Sequence, residues 1–599
     1  MTFYAINLLI YAAVDAMACL GLNQQFGVAG VTNFGFIIFQ AAGGYTAAIL
    51  ALPNQSANGG FQTYIGGWNL PFPIPWIGAA VVGGLIALPF TFLVGRRLRG
   101  DFAAVGLLVT AVLLNLVVTN YRPALNGDAG LSLIPQPLQG QYNPATASYQ
   151  WAFAAVAILL CLGVYLFVRR ITESPYGRSL RAMRDNDLVA DSLGKSLRSM
   201  RTVMLVAGGA IAGLSGGVLV SYITTWSPAA WGYAETVVLF AAVIIGGAGN
   251  HAGAVLGAIL VPVGFEEVTR FIPTSNSLPP NLIPSLEWVA IGLLIVIFLW
   301  VRPQGILPER KRVIKTIPAG DGAPGGGERH DARSSSYSPA RARLARPGEV
   351  VLEAVSVSRE FGGVRAVRDV SFSVRAGTLT GLIGPNGAGK STLLALLAGT
   401  LPVTSGSVIY RGQDITRVAA FRRARLGLVR TFQLASEFKR LTVMENLLSA
   451  VPANRGDSFR GAVLGKRYWR ADEAAAIARA EGMLERFGLE GFANHYAGDL
   501  SGGQRRLVEI MRALMAGPGM LLLDEPMAGV HPNLARRIGD QLIALCAEGM
   551  TMLMVEHELA IMDEFCDPVV VMAEGSVLAE GTMAQLRARR EVVEAYLVG

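Results

Sequence analysis

The chain has 599 residues and a mass of 63.5 kDa, too long for one core, since domains run to about 100–200 residues. Its mean hydropathy of +0.43, with 52% hydrophobic and 16% charged residues, excludes a disordered chain and argues against a wholly soluble one. The formal charge of +8 is unevenly carried: residues 1–310 hold 27 charged side chains, whereas the other 289 residues hold 67, so the chain joins two different materials.

The first material reads as a membrane domain. Asp15 is the only charged side chain in 1–95, and a bilayer core of about 30 Å needs about 20 apolar residues per helix. Candidate spans are 3–22, 28–50, 75–95, 102–120, 150–168, 202–222 and 286–301. A further apolar stretch, 234–263, is interrupted by Gly246-Gly247-Ala248-Gly249-Asn250 and reads as two short helices meeting at that turn. The expectation is an α-helical polytopic domain of about 8–9 spans, one of them broken. Residues 1–10 carry no basic residue of the kind that opens a signal peptide.

Basic residues set the orientation. Arg96, Arg97, Arg99, Arg169, Arg170, Arg178, Arg181, Arg184, Lys195, Arg198, Arg201, Arg302 and Arg310 fall in one set of loops, against Arg122 and Arg270 in the other. The first set is therefore read as cytoplasmic, and 51–74, 121–149 and 265–285 as external. The glycine-rich turn is either a pathway element or a tight turn between packed helices. Asp15 is either a pathway charge or an interfacial residue, and His251 reads as a capping or packing residue. Segment 172–200 reads as a short amphipathic helix with an approximate stripe of Leu180, Met183, Leu188 and Leu193. It faces either a soluble partner or lipid. Residues 311–347, rich in Gly, Pro, Ser, Arg and Ala, read as a flexible linker.

The second material carries phosphate chemistry. An apolar strand at 379–383 runs into Gly384-Pro385-Asn386-Gly387-Ala388-Gly389-Lys390-Ser391, then Thr392 and an apolar helix. This is a P-loop in its strand–loop–helix setting: backbone N–H groups and the helix N-terminus cradle phosphate, Lys390 reaches the terminal phosphates and Ser391 offers a hydroxyl to Mg²⁺. A second apolar strand, 520–523, ends in Asp524-Glu525-Pro526. Asp524 is placed to hold Mg²⁺ through water and Glu525 to act as general base on the attacking water. No dense basic stripe interleaved with aromatics appears, so nucleic acid is not an expected partner. The four cysteines, Cys19, Cys161, Cys546 and Cys566, have no CxxC spacing; they argue against a disulfide scaffold or a zinc site and read as small buried residues.

Leu500-Ser501-Gly502-Gly503-Gln504 completes the pattern. With it, residues 348–599 resemble an ATP-binding cassette (ABC) domain, an α/β P-loop fold. Physically Ser501 and the two glycines open a helix and form a second anion site. The resemblance implies that this site closes on ATP held by an opposite cassette. It also implies that Phe361 stacks on adenine, that Gln433 in Thr431-Phe432-Gln433 touches Mg²⁺, and that His557 in Val555-Glu556-His557-Glu558 contacts the γ-phosphate. Stretch 405–415 matches the family's antiparallel β subdomain. One departure is His531, where the family usually has Asp or Asn.

The membrane half resembles the LivM-type permease of branched-chain amino acid uptake systems. The carriers are Ser174-Pro175-Tyr176-Gly177-Arg178-Ser179-Leu180-Arg181-Ala182-Met183-Arg184-Asp185-Asn186-Asp187, Ala190-Asp191-Ser192-Leu193-Gly194 and Ile244-Ile245-Gly246-Gly247-Ala248-Gly249-Asn250. The cassette resembles LivG in Phe361-Gly362-Gly363, Gly503-Gln504-Arg505-Arg506, Ala528-Gly529 and Glu594-Ala595-Tyr596-Leu597. The resemblance implies a permease domain at 1–310, a linker at 311–347 and an ATPase domain at 348–599. It makes Arg181, Met183, Arg184, Asp185 and Asn186 part of a coupling helix. It further implies an importer of the bacterial inner membrane with a cytoplasmic cassette, using ATP and Mg²⁺. The partners would be an extracytoplasmic binding protein and either LivH-like and LivF-like chains or a second copy. Urea or small carboxylates are alternative substrates, and an ABC exporter or a membrane ATPase sensor are alternative classes.

Overall fold

The computed structural model describes residues 2–54, 61–95, 100–264, 282–314, 345–432 and 437–598. Arg96, Arg97, Arg99, Arg270, Gln433 and most of the expected linker lie outside the described residues. The chain divides into two compact units: Met1–Arg184 with Leu197–Arg310, and Asp185–Ser196 with Lys311–Gly599.

The first unit is helical. In chain order it contains α1 (Thr2–Asn23), α2 (Ile37–Ala51), α3 (Ile74–Gly95), α4 (Gly100–Asn120), α5 (Ala147–Thr172) and most of α6 (Pro175–Asp185). The chain passes through α7 (Asp187–Ser192), which belongs to the second unit, before α8 (Leu197–Ile223), α9 (Tyr233–Gly246), α10 (His251–Ala258) and α11 (Leu282–Val301). Among the described residues, six helices are long and apolar enough to cross a membrane: Phe3–Val28, Ile74–Val94, Gly100–Asn120, Ala147–Thr172, Leu197–Ile223 and Pro228–Gly246. Three shorter apolar helices are Ile37–Ala51, His251–Pro262 and Val289–Val301.

The expected span 28–50 begins later than its composition indicates. Gly30 adopts φ +70°, and the chain turns there before α2 starts at Ile37. At 1.5 Å per residue, α2 is only about 22 Å long. Before that turn α1 runs on as a π-helical segment, Gln24–Val28. The glycine-rich interruption separates α9 from α10, with Gly247 at φ +123° and Gly249 at φ +86°. Asn250 caps α10 by accepting from the N–H groups of Ala252 (3.0 Å) and Gly253 (3.3 Å).

Small residues set how closely these helices approach. A Cβ on Gly213 of α8 would overlap the Ala79 carbonyl of α3, and one on Gly216 would overlap the Gln40 carbonyl of α2. Between α9 and α10, Gly246 and Gly257 leave the same absence of space. Segment 172–200 is not one helix. Asn186 takes an extended conformation, ends α6, and caps α7 by accepting from the Val189 N–H at 3.2 Å. Leu180, Met183 and Leu193 are buried, but Leu188 is 62% exposed, so the stripe read from the sequence is interrupted at the break.

The second unit contains two sheets. β1 (Val350–Phe361), β2 (Val364–Arg375), β4 (Ser405–Tyr410) and β5 (Gln413–Asp414) form an antiparallel sheet in the order β2-β1-β4-β5. β3 (Leu379–Ile383), β6 (Leu428–Arg430), β7 (Met520–Asp524), β8 (Thr551–Val555), β9 (Val569–Ala573) and β10 (Ser576–Gly581) form the other, in the order β10-β9-β3-β8-β7-β6. Only the β10 edge of that sheet is antiparallel. All residues of β3, β7 and β8 are buried, as a parallel sheet covered on both faces requires. Its helices include α12 (Lys390–Ala398), α13 (Ala420–Arg425), α14 (Lys466–Phe487), α15 (Gly502–Met515) and α16 (Pro532–Ala547). Within this unit, Asp185 accepts from the Arg440 N–H (2.9 Å), Gly194 O accepts from Arg425 Nε (2.8 Å), and Lys195 forms an ion pair with Asp457. Cys19 and Cys566 are buried as expected, but Cys161 and Cys546 are only half-buried.

The helix contacts make a direct prediction. Gly213→Val overpacks a backbone contact and is expected to cost about 1–3 kcal/mol, lowering the thermal midpoint and folded yield of the full chain in detergent. Gly106→Val, where a Cβ meets nothing within 4 Å, is the control and is expected to leave both unchanged. Equal midpoints for the two variants would contradict the close approach of α3 and α8.

Candidate functional site

The site is built at the carboxyl edge of the parallel sheet. β3 delivers the chain into the loop 384–389, where Gly384 (φ +154°), Gly387 (φ +81°) and Gly389 (φ +95°) take conformations that L side chains rarely adopt. A Cβ on Gly389 would also crowd the Ala366 carbonyl, so the loop is fixed sterically as well as conformationally. Gly389 stands at the N-cap of α12, whose first turn carries Lys390, Ser391 and Thr392. Pro385 O accepts from the Ala388 N–H at 3.2 Å, while Asn386 and Gly387 are exposed at the loop's tip. Lys390 is 5% exposed and donates from Nζ to Gly384 O (2.7 Å) and Pro385 O (3.0 Å). Burial pulls its ammonium pKa below the usual lysine value, and the carboxylates of Glu525 and Asp524 act in the opposite direction.

The two carboxylates stand in different surroundings. Asp524 is 1% exposed; its Oδ2 accepts from Arg430 Nη2 at 2.8 Å, and its backbone N–H donates to Thr431 Oγ1 at 3.2 Å. Its buried Oδ1 has no hydrogen-bond partner among the described residues, which suits an acceptor for a magnesium-bound water. Glu525 is a left-handed residue (φ +49°) whose N–H donates to Val555 O at 2.9 Å. That turn brings its Oε1 within 2.7 Å of His557 Nε2. The imidazole is 45% exposed while the Glu525 carboxylate is buried, so the pair reaches from the sheet edge towards solvent.

Other expected residues stand apart from this cluster. Ser501 caps α15 through a reciprocal box: its Oγ accepts from the Gln504 N–H (3.4 Å), and Gln504 Oε1 accepts from the Ser501 N–H (3.0 Å). Ser501 and Gly502 are exposed, so the start of a 14-residue helix faces solvent. Among the described residues, no hydrogen bond or ion pair joins Ser501, Gly502, Gly503 or Gln504 to the P-loop. Phe361 ends β1, is 42% exposed, and carries the Arg359 guanidinium 4.6 Å from its ring centre. Gln433 lies outside the described residues. His531 acts as the N-cap of α16, its Nδ1 accepting from the Asn533 N–H at 3.3 Å. It thus meets locally the capping demand that Asp or Asn would meet.

Sequence patterns did not single out several residues that complete the site. Arg430 neutralises Asp524 and is distinguished only by ending a short apolar strand. Glu509 accepts from the Phe432 N–H (2.7 Å) and from Arg506 Nη1 (2.9 Å), while Arg506 also donates to Phe432 O (2.8 Å). Helix α15 therefore grips both backbone groups of the residue preceding Gln433. Glu556 is 4% exposed and accepts from the Met527 N–H at 2.7 Å. Burial pushes its carboxyl up to about 7; the charge of Glu525 adds to this, and the N–H groups of Met527 and His557 oppose it.

This arrangement is that of an ATP-binding cassette, and the family models and curated relatives agree. Residues 367–528 match the ABC transporter family, and residues 4–299 match the family described as branched-chain amino acid transport system, permease component. The cassette is similar to the probable branched-chain amino acid transport ATP-binding protein LivG of Archaeoglobus fulgidus, with 38% identity over 247 residues, 41% of this chain and 95% of that protein. It is also similar to the high-affinity branched-chain amino acid transport ATP-binding protein BraF of Pseudomonas aeruginosa, with 37% identity over 259 residues, 42% of this chain and 99% of that protein. A crystal structure of a nucleotide-free ATP-binding cassette from an ABC transporter aligns with 38% identity and a TM-score of 0.37, covering 41% of this chain and 99% of that one. The chain belongs to the branched-chain amino acid ABC transporter family, with a permease domain fused to a LivG/BraF-like ATPase.

The raised Glu556 carboxyl yields a prediction about pH. Its folded value of about 7 lies above the ordinary glutamate value of about 4.3. The stability contributed by the neutral form is therefore complete below about pH 4.3 and is lost as pH rises through about 7. Glu556→Gln keeps an acceptor for Met527 without this titration. Hydrogen exchange of the β8 amides in the full chain, corrected for intrinsic rate, is expected to lose protection between roughly pH 5 and 8 in the native protein and to be flat in the variant. An unchanged slope would contradict the assignment.

Proposed function

We propose that the chain is the permease-plus-ATPase subunit of an importer for branched-chain or related hydrophobic amino acids. It would act in the bacterial inner membrane with the cassette in the cytoplasm. Substrate is delivered by an extracytoplasmic binding protein, and separate LivH-like and LivF-like chains supply the second permease and the second cassette. The observation that carries this reading is the convergence of Lys390, Asp524, Glu525 and His557 at one sheet edge, in a chain whose other half matches a branched-chain amino acid permease.

The roles follow from the chemistry of each group. The N–H groups of 384–389 and the start of α12 hold the phosphates of ATP, with Lys390 as a point charge and Thr392 beside Ser391. Phe361 offers an exposed ring to adenine. Ser391, Gln433 and Asp524 would hold Mg²⁺, which, when bound, neutralises charge on the transferred phosphate. Glu525 takes the proton of the attacking water, and His557, in contact with that carboxylate, orients it and reaches the γ-phosphate. Ser501, Gly502, Gly503 and Gln504 present a helix start to the ATP of an opposite cassette.

Coupling is assigned to the cytoplasmic excursion, with a shift of residues. Arg184 is engaged inside the first unit, where it pairs with Glu309 (2.8 Å) and donates to Gly27 O. Arg181 and Met183 are buried. Asp185, Gly194 and Lys195, which bond to Arg440, Arg425 and Asp457, are the proposed contacts to the cassette.

Two experiments test the reading. Glu525→Gln is expected to retain ATP binding while lowering turnover by roughly 10²–10⁴-fold, the range for losing a general base, and to abolish uptake of labelled leucine by cells expressing the full set of chains. Near-normal hydrolysis would refute the assigned role. Lys195→Asp is expected to lower leucine uptake while ATP hydrolysis continues, and adding Asp457→Lys is expected to restore uptake. Uptake untouched by Lys195→Asp at equal expression would exclude this pair from coupling.

A further inference from the structure

A cavity of about 510 Å³ lies within the second unit, away from every residue assigned to ATP. Its walls include Lys195, Arg411, Arg425, Arg455, Asp457 and Tyr468. Lys195 is neutralised by Asp457, and Arg455 pairs with Asp472 at 3.6 Å. Arg411 and Arg425 form no ion pair with a carboxylate among the described residues, and the buried Nε of Arg411 has no acceptor.

Both guanidinium groups are held in place before any ligand arrives. Arg411 lies 5.4 Å from the centre of the Tyr410 ring, and Arg425 lies 5.3 Å from that of Phe421. Arg425 spends its Nε on Gly194 O at 2.8 Å, which leaves the two terminal nitrogens of its fork. Two pre-oriented forks with no carboxylate partner among the described residues line one cavity and match a dianion with several acceptor oxygens. A phosphate monoester carries about −1.5 to −2 at pH 7 and three such oxygens. Tyr468, 44% exposed, gives the same cavity an aromatic wall against which a flat group can stack.

We propose that this cavity is a regulatory site for a phosphate monoester of mononucleotide size. Because Arg425 also holds Gly194, a phosphate bound to its fork fixes the side chain that grips segment 185–196. Ligand binding and retention of that segment are then linked, each favouring the other. The phosphate belongs either to a free mononucleotide or to a lipid headgroup of the same chemistry.

The probe is AMP, titrated by calorimetry into the purified full chain carrying Glu525→Gln and saturated with ATP and Mg²⁺, so that the P-loop is filled. The expected result is one AMP per chain, weakened roughly tenfold or more by Arg411→Ala with ATP binding unchanged. Glycerol 3-phosphate then separates the sources: weaker binding than AMP assigns the site to a nucleotide, and equal binding to a lipid-type phosphate head. Absence of binding by both probes would overturn the proposal. So would binding that both Arg411→Ala and Arg425→Lys leave unaltered, since the phosphate would then sit elsewhere.

Discussion

Two adjacent carboxylates end a strand that is buried from Met520 to Asp524, and much of the cassette is arranged around that fact. A carboxylate taken out of water must be paired, hydrogen-bonded or protonated. Asp524 is paired by Arg430, and Glu525 is turned through a left-handed backbone towards His557. Lys390, itself buried, lies in the field of both carboxylates. Glu556, one strand away, has less compensation, and its carboxyl is driven towards the neutral form. The strand edge thus holds two partnered carboxylates beside a residue whose charge is suppressed. The Arg506–Glu509 grip on Phe432 ties α15 to the residue that precedes Gln433.

The helical unit solves the complementary problem, irregular backbone where a helix is interrupted. Irregular backbone is tolerated at membrane depth only where protein groups satisfy it. The turn between α9 and α10, which lies beside Arg184 and Glu309, is held in part by Asn23, whose Oδ1 accepts from the Gly249 N–H at 2.8 Å. The amide of the same side chain lies 3.2 Å from His251 Nδ1, and Thr172 Oγ1 lies 2.8 Å from His251 Nε2. The glycine interruption is therefore a polar junction of α1, α5 and α10, positioned by the π-helical continuation of α1. Glycines that remove side-chain volume and amides that satisfy backbone groups act together here.

The legible parts of the sequence were those in which one local pattern carries its own physics. The P-loop needs glycines at fixed spacing between a strand and a helix, and the structure has Gly384, Gly387 and Gly389 at positive φ in that place. Long apolar runs gave the helices, and Ser501 with Gln504 gave a helix start. Part of what escaped was decided by groups distant in sequence. Arg430 meets Asp524 across 94 residues, and Glu509 meets Phe432 across 77. The break at Asn186 escaped because one capping side chain outweighed a weak apolar period. The late start of α2 escaped because composition registers hydrophobicity but not the left-handed turn at Gly30. His531, read as a departure, serves the helix start as a cap.

On the function proposed above, ATP hydrolysis on the cassette drives amino acid uptake through the fused permease. The most direct measurement is leucine transport in proteoliposomes containing this chain with its partner permease and ATPase chains. ATP and Mg²⁺ are placed on the cassette side, and labelled leucine with binding protein on the opposite face. The account predicts accumulation of leucine on the cassette side against its gradient, dependent on both ATP and the binding protein. Hydrolysis without leucine movement, or leucine driven away from the cassette side, would contradict it.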